Sequence, residues 1–165
     1  MWCLRILVGF LVVTFNFGGT LACESGWTEY RGACFKLFNE EVTLAFAVDA
    51  CRTSLMPETT DTTIVKPKTR GIQALLNGMM IGHPEDDFWL SMLNVNANGW
   101  AYLDAAVVND CDWTNWGPAS NGEASSSDGD WGEQCAKMTG STGWAWDDAG
   151  CTSQGKYICQ SGISN

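Results

Sequence analysis

Apolar positions open the chain as one nearly unbroken run, MWCLRILVGFLVVTF, with Arg5 as its single charge. After residue 22 the pattern shortens. CESGWTEYRGACFKLF (23–38) alternates turn residues with aromatics, which predicts two short strands joined as a hairpin. Asn39 then precedes VTLAFAVDACR, where Leu44, Ala47 and Cys51 fall at i, i+3 and i+7. That spacing predicts a helix with one apolar face and Asn39 as its N-cap. SLMPETTDTTIVKP (54–67) is rich in Thr and Pro and reads as loop. KTRGIQALLN (68–77) predicts a second short helix stopped near Gly78. PEDDFWLSML (84–93) begins polar and ends as a buried strand.

From Asn94 to Gln134 the character changes. Gly, Asn, Asp, Ser and Trp dominate, with few aliphatics. So long a stretch without periodicity counts against a compact domain unless it is a functional loop held by tryptophans and a metal. CAKMTG, WAWDD and KYICQ then read as short closing strands. The order of elements predicts an α+β domain: two helices early, many short strands, one long loop region.

Composition sharpens this. The opening run ends in Thr20-Leu21-Ala22 before Cys23, the layout of a secretory signal peptide over residues 1–22, with the domain spanning 23–165. Polar Thr14 and Asn16 and the pair Gly18-Gly19 make it a poor membrane anchor. Removing it takes away Arg5 and no acid, so the net charge moves from −10 to −11. Such a surface excludes nucleic acid, which demands basic stripes. It suits cation binding through carboxylates. Secretion with this many cysteines implies disulfides. Their spacing alone leaves the pairing open.

Several motifs together carry a family resemblance. GWTEYRGACFKLF, FWLSML, GWAYLDAA, WTNW, GEQC, WDDAGC and KYICQ follow one another in an order that resembles the C-type lectin-like domain, over nearly all of residues 23–165. The resemblance implies a C-type lectin-like fold, with two helices on short antiparallel sheets, a long loop region and disulfide staples. It also implies the pairs Cys23–Cys34, Cys51–Cys159 and Cys135–Cys151. Cys111 is then left over, which points to an intermolecular bridge in a homodimer or to a buried free thiol.

The resemblance gives the adjacent acids of WAWDDAGC a purpose. Neighbouring carboxylates repel each other, and a divalent cation removes that repulsion; Ca2+ takes six to eight oxygens. Trp146-Asp147-Asp148 stands where sugar-binding members carry Trp-Asn-Asp, so Asp147 keeps an oxygen ligand but loses an amide donor for sugar. Glu133, two residues before Cys135, matches the family's loop Glu. The loop triplet, which has a middle proline in the family, is here Ser120-Asn121-Gly122, or Glu123-Ala124-Ser125 if shifted. Asn121, Glu123 and Asp128 are therefore candidate ligands beside Glu133, Asp147 and Asp148. Asn121, Glu123, Glu133, Asp147 and Asp148 are also the candidate carbohydrate contacts. The positions of a second Ca2+ site are Asn94, Asn98 and Gln134, whose neutral amides predict a weak or empty site.

These readings compete with plainer ones. Asp147-Asp148 can be a polar turn, and Glu123 and Asp128 solvated loop acids. SSSDGDWGE lacks the EF-hand spacing. Trp113, Trp116, Trp144 and Trp146 read as packing residues, any one of which can stack on a sugar ring. His83 is a lone loop histidine, which disfavours a Zn site or Cys/His catalysis. Adjacent residues of a strand point to opposite faces, so Asp147 and Asp148 make a poor acid/base pair, and no catalytic residues are expected. The expectation is a secreted Ca2+-dependent carbohydrate-binding protein for bacterial or fungal surface glycans in innate immunity. The alternative is the same fold binding a protein, mineral or ice surface without Ca2+.

Overall fold

The computed structural model describes residues 23–54, 62–95, 99–109, 111–117 and 134–162. The signal peptide expected over 1–22 lies outside them. The chain opens with β1 (Thr28–Tyr30) and β2 (Ala33–Val42), a hairpin whose two turn residues, Arg31 and Gly32, have φ of 51° and 80°. Positive φ at both positions is what a type I′ two-residue hairpin turn requires, and glycine supplies one of them without strain.

Helix α1 (Leu44–Thr53) buries Leu44, Ala47 and Cys51, the face that the periodicity predicts. Its start differs from the sequence reading. Asn39 lies inside β2, and the N-cap is Thr43, whose side chain makes no capping bond. Strand pairing sets this boundary. After an irregularity beyond Phe38, β2 still meets the last strand through Val42 and Gly155, which holds 39–42 extended. Within 54–67, read as loop, the structure places β3 (Thr62–Ile64) on the final strand. Thr62 and Ile64 are buried, so tertiary pairing rather than local pattern makes this a strand.

Helix α2 (Arg70–Met80) starts at Thr69, whose side chain accepts from the Ile72 amide at 3.2 Å. It runs through Gly78 rather than stopping there. Leu76 and Met80 continue the buried face past the glycine, and Gly78 itself is exposed. Burial of Met80 offsets the roughly 1 kcal/mol cost of glycine in a helix.

The remaining strands are β4 (Phe88–Asn94), β5 (Trp100–Tyr102), β6 (Cys135–Thr139), β7 (Ala145–Ala149) and β8 (Gly155–Ser161). They join β1 and β2 in one sheet ordered β1-β2-β8-β4-β6-β7, with β3 added on β8 and β5 on β4. Among the described residues, these strands all pair antiparallel except β4 with β8. The core centres on Trp89, Trp146, Phe35, Phe88 and Leu90, all fully buried.

Cys23–Cys34, Cys51–Cys159 and Cys135–Cys151 are disulfide-bonded, the pairing that the resemblance implies. Cys51–Cys159 ties α1 to β8 across 108 residues. Chain-entropy reasoning values such a closure at about 4–5 kcal/mol. Cys111 is exposed rather than buried, and it is not a free thiol.

Candidate functional site

Strand β7 carries the adjacent acids, and its position is fixed from both sides. On one edge it pairs with β6, with Met138 opposite Trp146, Lys137 opposite Asp147 and Ala136 opposite Asp148. The turn between them, closed by the short 3-10 helix η1 (Gly140–Thr142), needs positive φ at Gly143 (71°) and Trp144 (63°). On the other edge lies the segment 113–117. The Trp146 amide donates to the Asn115 carbonyl at 2.8 Å, and the Gly117 amide donates to the Trp146 carbonyl at 2.9 Å.

The tryptophans pack as a cluster. Trp146 meets Trp113 and Trp116 edge-on, with ring centroids 5.7 and 5.5 Å away, and Trp116 leans on Trp100 at 4.8 Å. The Trp146 indole N–H donates to Gln73 Oε1 at 2.9 Å. The Gln73 amide nitrogen in turn donates to Asn77 Oδ1 and to the Trp144 carbonyl. Gln73 escaped the sequence reading. Its signal was a carboxamide beside Ile72 on the apolar face of α2, where a buried polar group must find partners.

Asp147 and Asp148 are both half-buried. Strand alternation puts Asp148 on the face of Trp146 and Asp147 on the other. Asp147 Oδ1 nevertheless accepts from the Asp148 amide at 3.2 Å, which turns that carboxylate back along the strand toward its neighbour. Across from Asp147, buried Lys137 turns away from the pair. Its ammonium donates to the Gln154 carbonyl at 2.7 Å and sits 4.4 Å from the Trp89 ring centre. Burial lowers the Lys137 pKa, with Asp87 and Glu41 opposing the shift.

Three strands end together near these acids. The Asn94 amide, at the end of β4, donates to the Gln134 carbonyl at 2.8 Å. Leu93 pairs with Cys135, and Cys135 with Ala149, one residue past Asp148. Among the described residues, Asn94 Oδ1 is buried without a hydrogen-bond partner. An orphaned amide oxygen and two carboxylates are donors of the kind that Ca2+ accepts. Among the described residues, no group of three or more His, Cys, Asp or Glu side chains is placed to hold a metal. A complete shell would need further oxygens from elsewhere. The other predicted ligands, Asn121, Glu123, Asp128 and Glu133, and Asn98 of the second site, lie outside the described residues.

His83 is not isolated. Its Nδ1 lies 2.9 Å from Asp86 Oδ2, which also accepts from Lys156. The Lys156 hydrogen bond leads the forces that hold the Asp86 pKa below its ordinary value. No described helix is long and apolar enough to cross a membrane.

Comparison with known proteins agrees with this architecture. Rheacalcin-1 of Rhea americana is 22% identical over 139 residues, covering 84% of this chain and 94% of its own. One polypeptide of the snaclec coagulation factor IX/factor X-binding protein of Gloydius halys is 26% identical over 155 residues, 92% of each chain. The crystal structure of the C-type lectin CEL-I from Cucumaria echinata superposes with a TM-score of 0.71 at 19% identity, covering 86% of this chain and 99% of that one. The sequence model of the Lectin C-type domain matches residues 40–161, so this chain belongs to the C-type lectin domain family.

Proposed function

We propose that this protein is a secreted carbohydrate-binding module that recognises surface glycans, bacterial or fungal, through a Ca2+ ion held at the end of β7. The observation that carries the reading is the placement of Asp147 and Asp148 on one strand end, with the Asp147 carboxylate curled toward Asp148 and unpartnered Asn94 Oδ1 at the neighbouring strand end. Glu133, immediately before Gln134 in sequence, would add a third carboxylate, and Asn121 and Glu123 further oxygens. Bound Ca2+ would supply a Lewis-acidic contact for neighbouring sugar hydroxyls, whose O–H groups would donate hydrogen bonds to the carboxylates. Single sugar sites of this kind are weak, so useful avidity comes from several copies on one particle.

The test is calorimetry of the full chain against a glycan panel, with Ca2+ and with EDTA. Ca2+-dependent binding to at least one glycan, lost in Asp148→Ala, supports the reading; binding to none refutes it. Asp147 in place of the family's Asn, and the loop triplet without its proline, favour a second reading in which the same surface binds protein, mineral or ice without Ca2+. A snaclec relative named for binding coagulation factors is consistent with that alternative. Binding that persists in EDTA selects it.

A further inference from the structure

A cleft of about 450 Å3 opens between α2 and the segment 113–115, with the β6–β7 turn along its rim. Its size is within the range of small-molecule sites. Among the described residues its lining contains no carboxylate. The groups it presents are specific in kind. Arg70 is exposed, and its guanidinium has no ion-pair or hydrogen-bond partner among the described residues. Asn77 commits its oxygen to Gln73, which leaves its amide N–H groups for a ligand. Asn115 commits its amide to the Trp144 carbonyl, which leaves its oxygen. Trp113 is half-buried, with its edge-to-face contact to Trp146 on the inner side.

These groups are complementary to one ligand chemistry. A pyranose ring lays its C–H face on an indole, and its hydroxyls need a donor and an acceptor side by side. A carboxylate on the ring would take the guanidinium fork in a bidentate pair. We infer that this cleft is a metal-independent subsite for an acidic sugar, a hexuronic acid residue. Asn77 and Asn115 hold the hydroxyls, Trp113 the ring face and Arg70 the carboxylate. The subsite is separate from the acids of β7 and does not rest on the Ca2+ reading.

The experiment is a titration of the 15N-labelled full chain, in EDTA, with methyl β-D-glucuronide and with methyl β-D-glucoside. The expected result is saturable shifts at the Trp113 indole N–H and at amides of 70–77 and 113–115, with the glucuronide bound about tenfold tighter. Arg70→Gln, on the exposed first turn of α2, should remove that preference, bringing the glucuronide affinity to that of the glucoside. Asn77→Ala should weaken both sugars alike. The proposal is overturned by the absence of saturable shifts at these positions, by equal affinity for the two sugars, or by a preference that survives in Arg70→Gln. An unchanged amide spectrum outside the cleft in each variant separates loss of binding from loss of fold.

Discussion

The indole N–H of Trp146 donates to Oε1 of Gln73 across 2.9 Å, and both side chains are buried. This one bond fastens strand β7 to helix α2 from inside the core. Gln73→Leu would take the acceptor from the Trp146 indole N–H and the Gln73 donor from Asn77 Oδ1, while the Trp144 carbonyl keeps its bond from Asn115. The expected loss is about 1–3 kcal/mol, the cost of an unsatisfied buried polar group. Thermal denaturation should show it as a drop of several degrees. Because Trp146 directly precedes the paired acids, the same variant should also weaken Ca2+ binding.

The metal proposal predicts a stability change with a defined sign. A cation that binds only the folded chain raises its stability by mass action, by about 2.7 kcal/mol at a hundredfold excess over Kd. Differential scanning calorimetry should show a higher midpoint in Ca2+ that EDTA reverses. Asp148→Ala should abolish the increment while leaving the midpoint in EDTA nearly unchanged. An equal midpoint with and without Ca2+ in the wild-type chain would count against any ion at this strand end.

Two glycines should respond oppositely to alanine. A Cβ on Gly140 would lie 2.6 Å from the Pro84 carbonyl oxygen and under 3 Å from backbone atoms of Glu85 and Asp86. Backbone cannot swing aside as a side chain can, so Gly140→Ala should cost about 1–3 kcal/mol. Gly78 sits inside α2 with nothing within 4 Å of an added Cβ. Gly78→Ala should therefore stabilise by about 0.4–1 kcal/mol. Urea midpoints of the two variants test the contrast.

Acid sensitivity should trace to two carboxylates. The hydrogen bond from Lys156 is the leading cause of the lowered Asp86 pKa, and that from Lys66 of the lowered Asp104 pKa. A depressed carboxylate adds stability above its unfolded value of 3.8, lost as pH falls through the folded value. The wild-type midpoint should fall below about pH 4, and more gently in Asp86→Asn and Asp104→Asn. Both pairs are partly exposed, so the effect should shrink in high salt.

Alkali should act through Tyr102. Burial, ahead of the nearby Asp112 and Asp104, pushes its phenol up to about 12. A raised pKa gives stability that is present below the unfolded value of 10 and lost as pH rises through the folded one. Burial, with Glu40 beside it, also raises Tyr157. Spectrophotometric titration should therefore show a late-ionising component that shrinks but does not vanish in Tyr102→Phe, and stability should fall as Tyr102 ionises.

The face of the first helix was legible because burial leaves a period in the sequence. Leu44, Ala47 and Cys51 mark one side of α1; for α2 the segment was legible, and the structure shows which side is buried. The helix ends were not legible, since distant partners decide them. Asn39 looks like a cap but is drawn into β2, and Gly78 looks like a stop but Met80 is buried beyond it. Strand β3 had no pattern of its own and exists because β8 offers it an edge.

The same division holds for the functional surface. The sequence alone determined that acids cluster beside a tryptophan-rich strand and that the family pattern runs in order, because these depend on residue type and spacing; the cysteine pairing followed from the family resemblance, not from spacing. Only the tertiary structure decided that Gln73 anchors Trp146, that Lys137 turns from Asp147 to Trp89, and that Arg70, Asn77, Trp113 and Asn115 share one cleft. Such encounters join residues tens of positions apart. Their energies come from burial and hydrogen-bond geometry in three dimensions, and no short-range pattern in a chain encodes those.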